Sequence, residues 1–255
     1  MIMSNLTVSP ATLAITFSLV LFAIFISYKQ KLGITKDIIW GISRAIVQLT
    51  VVGYLLKYIF GVNNVWLTFA MVAIIVLNAA WNSSKRSNGL PNAFKISVLA
   101  MSLSTAVCLS ILILSGSLKV TPSQIVPITG MTASNAMVAS GLAYRSMDSL
   151  FRDQHQQVME KLALGATPAQ ATKSIVREAI KTGMTPTIDS SKTLGLVSLP
   201  GMMSGLIFAG VDPVKAIGYQ IMVTFMLLAT TSLSSITVVY LGYKQFYNQE
   251  EQLVR

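Results

Sequence analysis

Cysteine, histidine and acidic residues are what this 255-residue chain has least of: one Cys, one His, and nine Asp plus Glu. Cys108 stands alone in an apolar run, which excludes an intramolecular disulfide and any Cys-based zinc site. His155 lies in a charged segment with no Ser or Cys context to pair with it, so nucleophilic catalysis has no candidate. No Gly-x4-Gly-Lys-Ser/Thr phosphate loop occurs, and the chain does not cradle ATP by that route. Charged residues reach only 11%, against roughly 25% in an average soluble domain. Hydrophobic residues make up 53%, and the mean hydropathy is +0.65. These proportions exclude a disordered chain, a disulfide scaffold and most soluble enzymes, and they point to lipid. The net charge of +10 does not indicate nucleic acid, because a nucleic-acid binder carries its charge on the polar face of a water-soluble fold.

Charge-free stretches run over 1–28, 58–84, 96–118, 120–144, 193–211 and 216–243, each near or above the ~20 residues that span a bilayer. A further span from Ile38 to Phe60 is interrupted by Arg44, which makes seven. Met1 to Pro10 has no Lys or Arg and no small-residue cleavage site follows, so the first helix is expected to be uncleaved, with the N-terminus outside. Fifteen of the 19 Lys and Arg fall after spans one, three, five and seven. Only Lys57, Lys119 and Lys215 fall in the alternate loops, and the positive-inside bias therefore places the C-terminus in the cytoplasm. Trp40, Trp66 and Trp81 fall near expected span ends, as interfacial anchors do. The expectation is one all-α transmembrane domain over 1–255, multi-pass, in a bacterial inner (plasma) membrane.

Residues 145–192 carry twelve of the 28 charges and form the one sizeable water-exposed segment. Apolar Met147, Leu150, Phe151, Val158 and Leu162 recur at helical spacing and predict a helix over about 146–164, stopped by Gly165. Thr167, Pro168 and Gln170 predict a capping-box start for a second helix, which should end near Thr182 at Gly183. Pro186 is expected to bar its simple continuation into span six. Such a hairpin can merely link two spans, or it can act as a lever for a docked partner.

The run Glu160-Lys-Leu-Ala-Leu-Gly165-Ala166-Thr167-Pro168 resembles the Glu-Ala-Ala…Gly coupling motif of bacterial ABC-transporter permeases, which docks in a groove of the ATPase subunit. Its glutamate stands one residue closer to the glycine than is usual. A longer resemblance covers nearly the whole chain. Arg44-Ala-Ile-Val-Gln48 through Phe60, Asn78-Ala-Ala-Trp-Asn82, and Ser198-Leu-Pro-Gly-Met-Met-Ser-Gly205 through Leu228 look like the FetB-type family of small permeases. The resemblance implies export of iron or a related metal, an association with aluminium tolerance in plant relatives, and a homodimer working with a separate cytoplasmic ABC ATPase. ATP and Mg would then act through that partner, with no cofactor in this chain and no enzymatic activity of its own.

For the transport path, Arg44 and Gln48 share a helix face and either snorkel to the headgroups or line a vestibule. Asn78 and Asn82 show the same spacing, with interhelical hydrogen bonding as the simple account. Spans five and six are the least lipid-like. The first carries Met131 and Asn135 and a stripe of small residues at Thr132, Ala136 and Ser140; the second carries Pro200, Met202 and Met203 at an expected break, with Gly201 and Gly205 spaced as a packing face. No high-affinity iron site is visible, since iron is held by imidazole, carboxylate or thiolate. Asp189 is a weak metal candidate whose simpler role is helix capping or pairing with Lys192. Rival readings are a non-metal cargo such as a sugar nucleotide, an ion-coupled secondary carrier, and a membrane scaffold.

Overall fold

Backbone immersed in hydrocarbon must satisfy its own N–H and C=O groups, which a helix does within one segment. The computed structural model describes residues 9–62, 64–248 and 250–254; among these the regular elements are helices, with two isolated β-bridges, Leu194 with Ser198 and Tyr247 with Leu253. The first helices are α1 (Pro10–Thr16), α2 (Ser18–Lys29), α3 (Thr35–Val62), α4 (Val65–Ser84) and α5 (Ala93–Leu114). Next come α6 (Pro122–Asp153), α7 (His155–Ala163), α8 (Pro168–Ala171), α9 (Lys173–Thr193), α10 (Gly201–Phe208) and α11 (Pro213–Gly242), with a 3-10 turn over Tyr243–Phe246. Among the described residues, five stretches are long and apolar enough to cross a membrane: Pro10–Lys29, Thr35–Val62, Val65–Ser84, Ala93–Leu114 and Pro213–Phe246. The expected first span includes residues 1–8, which lie outside the described residues.

The described residues fall into two units. One comprises the described part of Met1–Asn63 together with Gly205–Asp212. Its α2–α3 turn is pinned by Ser27 Oγ and Thr35 Oγ1, 3.0 Å apart, and the apolar side chains of its helices face outward almost throughout. The other comprises Asn64–Ser204 and Pro213–Arg255. There α6 packs against α4, α9 and α11, while α5 packs against α4 and α11. The buried stripe Thr132, Ala136 and Ser140 follows the expected close helix contact. A Cβ at Gly201 or Gly205 would meet no other atom of the chain within 4 Å.

Three expectations about helix limits are corrected. The hairpin's first arm is not a separate helix over 146–164: α6 continues unbroken from Pro122 to Asp153, and the break comes at Gln154. No Gly or Pro interrupts the stretch after Gly141, and the charge at Asp148 is buried yet satisfied. Its Oδ2 accepts from Arg152 Nη2 and Asn88 Nδ2, each at 2.8 Å. The second arm is not one helix ending at Gly183: α8 closes at Ala171, α9 starts anew at Lys173, and Pro186 does not stop it, since α9 runs to Thr193. Gly183 is instead a contact residue: a Cβ there would lie 2.6 Å from Ser235 Oγ and 2.8 Å from the Ala139 carbonyl. Packing on α6 and α11 thus holds α9 together across the hydrogen bond that Pro186 cannot donate. Span six over 193–211 is not one helix; a non-helical segment over 194–200 leads into the short α10. Gly195 and Gly210, both at positive φ, and Pro200 break the run.

Candidate functional site

The hairpin tip is built from two complementary caps. Gly165, at φ +90°, closes α7: its N–H donates to the Leu162 carbonyl at 2.9 Å, and the Ala166 N–H donates to the Lys161 carbonyl at 3.0 Å. This is a Schellman ending, in which the left-handed glycine satisfies the last carbonyls. Thr167 then opens α8 with a capping box, its Oγ1 accepting from the Gln170 N–H while Gln170 Oε1 accepts from the Thr167 N–H at 2.9 Å. Pro168 occupies the first helical position, as expected. Leu164 protrudes from the tip with 88% of its surface exposed. Glu160 is exposed on α7 and accepts from Gln156 at 3.2 Å.

Beneath this tip lies a support that sequence reasoning missed. Phe246, just after α11, stacks on Phe151 of α6 with ring centroids 3.9 Å apart, and Tyr247 meets the same ring edge-on at 6.4 Å. The chain then turns back so that the Val254 N–H donates to the Phe246 carbonyl at 2.9 Å, and Leu253 packs on the same core. Burial pushes the Tyr247 phenol up to about 12 and keeps it neutral. The only signal in the sequence was the aromatic run Tyr243 to Tyr247.

Along α6, α9 and α11 a groove of about 330 Å³ opens, with Leu194 and Pro200 also in its lining. Its polar lining is neutral: the carboxamides of Asn135 and Gln220, and hydroxyls of Thr187, Ser190, Ser191 and Thr224. Gln220 is 9% exposed, and its Oε1 makes no hydrogen bond among the described residues. Asn135 Nδ2 donates to the Met131 carbonyl at 2.9 Å, which leaves its Oδ1 as the acceptor of a groove-lining carboxamide. Gln220 and the α9 hydroxyls escaped sequence reasoning, although Gln220 is the lone carboxamide in the charge-free run 216–243.

Other candidates fall elsewhere. Met131 and Met202 pack with the core around Cys108, Ile128 and Met226, and Met203 is half-buried. Asn78 and Asn82 bond within α4, Asn82 Nδ2 donating to Asn78 Oδ1 and to the Asn78 carbonyl at 2.9 Å each, so the interhelical expectation is corrected. Arg44 and Gln48 are exposed on α3, in the first unit. Asp189 pairs with Lys192 at 2.9 Å, both exposed, and among the described residues no three His, Cys, Asp or Glu side chains cluster as metal ligands.

The model of the family described as "Uncharacterised protein family (UPF0014)" matches residues 10–247. The chain belongs to the UPF0014 family. It is 54% identical over 252 residues to the Escherichia coli (strain K12) protein named "Probable iron export permease protein FetB", covering 99% of this chain and 97% of that one. It is 35% identical to "Protein ALUMINUM SENSITIVE 3" of Arabidopsis thaliana over 92% of this chain and 86% of that one. It is also 35% identical to "UPF0014 membrane protein YjkA" of Bacillus subtilis (strain 168), over 95% and 97% of the two chains. No solved structure matches the chain. The UPF0014 chain is therefore a multi-helix membrane protein related to a named permease, as its composition and helices indicate.

Proposed function

We propose that this chain is the membrane-spanning subunit of an ATP-driven exporter of iron or a related metal, in a bacterial inner membrane. It works as a homodimer with two copies of a separate ABC ATPase that binds the nucleotide and Mg. The observation that carries the reading is the 54% identity over 252 residues to the E. coli permease named for iron export. The basic residues orient the chain with seven crossings, the N-terminus outside and the hairpin in the cytoplasm.

The geometry supplies a coupling route. The tip over Glu160–Pro168 is the docking element, with rigid caps and an exposed Leu164. Beyond α8 and the junction at Thr172, α9 runs as one helix from Lys173 to the groove residues Thr187, Ser190 and Ser191, ~21–27 Å on at 1.5 Å per residue. Likewise α6 carries Phe151 under the tip and Asn135 in the groove. Closure of the ATPases pushes the tip, which passes the push through the junctions at Gln154 and Thr172 to α6 and α9, and these two helices run on to the groove walls.

Two measurements test this. Cells lacking their own exporter are loaded with iron, and expression of the chain with its ATPase should lower cellular iron over time; unchanged iron content sinks the cargo assignment. Purification of the tagged chain should bring down an ABC ATPase whose hydrolysis is lost with Gly165→Leu. If no ATPase accompanies the chain under mild detergents, the ATP-driven reading is wrong.

A further inference from the structure

The groove has the size and hydrogen-bond acceptors for a metal that keeps its own ligands. We infer that the cargo enters it as an intact octahedral complex, hydrated or ligated, recognised through hydrogen bonds from its outer atoms and not through direct bonds from protein to metal. This rests on the metal-export reading and says which form of the metal is handled.

A groove of about 330 Å³ has room for roughly ten waters at their liquid volume, more than the six ligands of an octahedral ion need. Its polar lining consists of carboxamides and hydroxyls, without formal charge. The nearest charges on α9, Asp189 and Lys192, are paired with one another at 2.9 Å. Stripping water from a divalent ion carries a very large penalty, which anionic or imidazole ligands can offset and neutral amides offset poorly. The same groups suit an ion that keeps its shell, because coordinated water or amine is a strengthened hydrogen-bond donor and needs acceptors. Gln220 Oε1 is such an acceptor, buried and without a hydrogen bond, and the Asn135 oxygen is a second. A buried acceptor left unmatched is costly, and a cargo donor removes that cost. Weak outer-sphere recognition also lets go of the cargo on the far side.

The probe that separates the two forms is hexaamminecobalt(III), an octahedral ion whose ligands do not exchange. The full-length chain in lipid nanodiscs is equilibrated anaerobically with Fe(II), and hexaamminecobalt(III) is added. The inference expects competition for one site. It also expects Gln220→Leu and Asn135→Leu each to weaken both ions by about tenfold, the worth of one well-placed hydrogen bond. Fe(II) binding that hexaamminecobalt(III) cannot displace means direct metal ligation and overturns the inference. So does displacement that both variants leave unchanged, which puts the site elsewhere, or the absence of binding by either ion. The wild-type competition requires no variant to fold. Iron efflux from cells, measured independently, distinguishes this failure from failure of the export reading: efflux without competition leaves the exporter standing and removes only the intact-complex cargo.

Discussion

The hairpin end and the middle of the second unit are packed from different materials. At the hairpin end the buried side chains are large: Tyr144, Met147, Phe151, Ile175 and Phe246, with the two phenyl rings stacked. Toward the middle most are small, with Ala80, Ala133 and Ala136 around Met101, beside Ser104, Thr132, Ser140 and Ser234. In water, large apolar side chains stabilise by leaving solvent. In lipid that driving force is missing, and close backbone approach through small residues replaces it. The hairpin end thus has the large apolar side chains of a core that water drives together, and the middle has the small residues of close helix packing.

That contrast can be broken by substitution. The largest effect belongs to Phe246→Ala or Phe151→Ala, expected to destabilise the hairpin by about 3–5 kcal/mol and to release the C-terminal segment to protease. Thermal unfolding in detergent with limited proteolysis reads both, and a loss under ~1 kcal/mol would show that the aromatic stack is dispensable. Next is Gly183→Leu, which meets Ser235 Oγ and the Ala139 carbonyl within 3 Å. Because a backbone carbonyl cannot rotate aside, a cost of about 1–3 kcal/mol is expected, with α9 displaced from α6. Cross-linking of cysteine pairs placed on the two helices should report the separation. Gly165→Ala is a smaller change. A Cβ there meets nothing, but φ +90° strains any side chain, and roughly 1–2 kcal/mol is expected locally. Stimulated ATP hydrolysis should fall while the melting of the membrane portion stays unchanged. Smallest is Ser140→Ala, whose buried hydroxyl makes no hydrogen bond among the described residues. A shift under about 0.5 kcal/mol is expected, and a larger loss would mean that hydroxyls at this depth stabilise after all.

What could be read from the sequence was whatever local chemistry decides. Gly165 as a stop and Thr167-Pro168-x-Gln170 as a start are four-residue signals, and both caps form as expected. Thr132, Ala136 and Ser140 were legible because their spacing alone puts them on one face. Tertiary contacts decided the rest. Pro186 is a helix breaker by local rules, yet α9 persists because Gly183 seats it on two neighbours. Asp148 looked like part of a solvated hairpin, and only its partners Arg152 and Asn88, the latter sixty residues distant in sequence, explain its burial inside α6. Asn135 and Pro200 were chosen for a path and do line the groove, while Gln220 was passed over inside a long apolar run. The methionines drew attention by number, but Met131 and Met202 pack with a core.

Gly183 has a mechanical meaning as well. There α9 lies against α6 and α11 with no room for a Cβ, so a helix rocking there turns about it as about a fulcrum. One arm runs back to Lys173, ~15 Å, and the other forward to Ser191, ~12 Å. A tip pushed inward by 2 Å would swing the groove hydroxyls outward by roughly 1.6 Å, a reversal of direction at nearly full amplitude. The missing side chain at one position would thereby fix the gearing between the two ends of the helix.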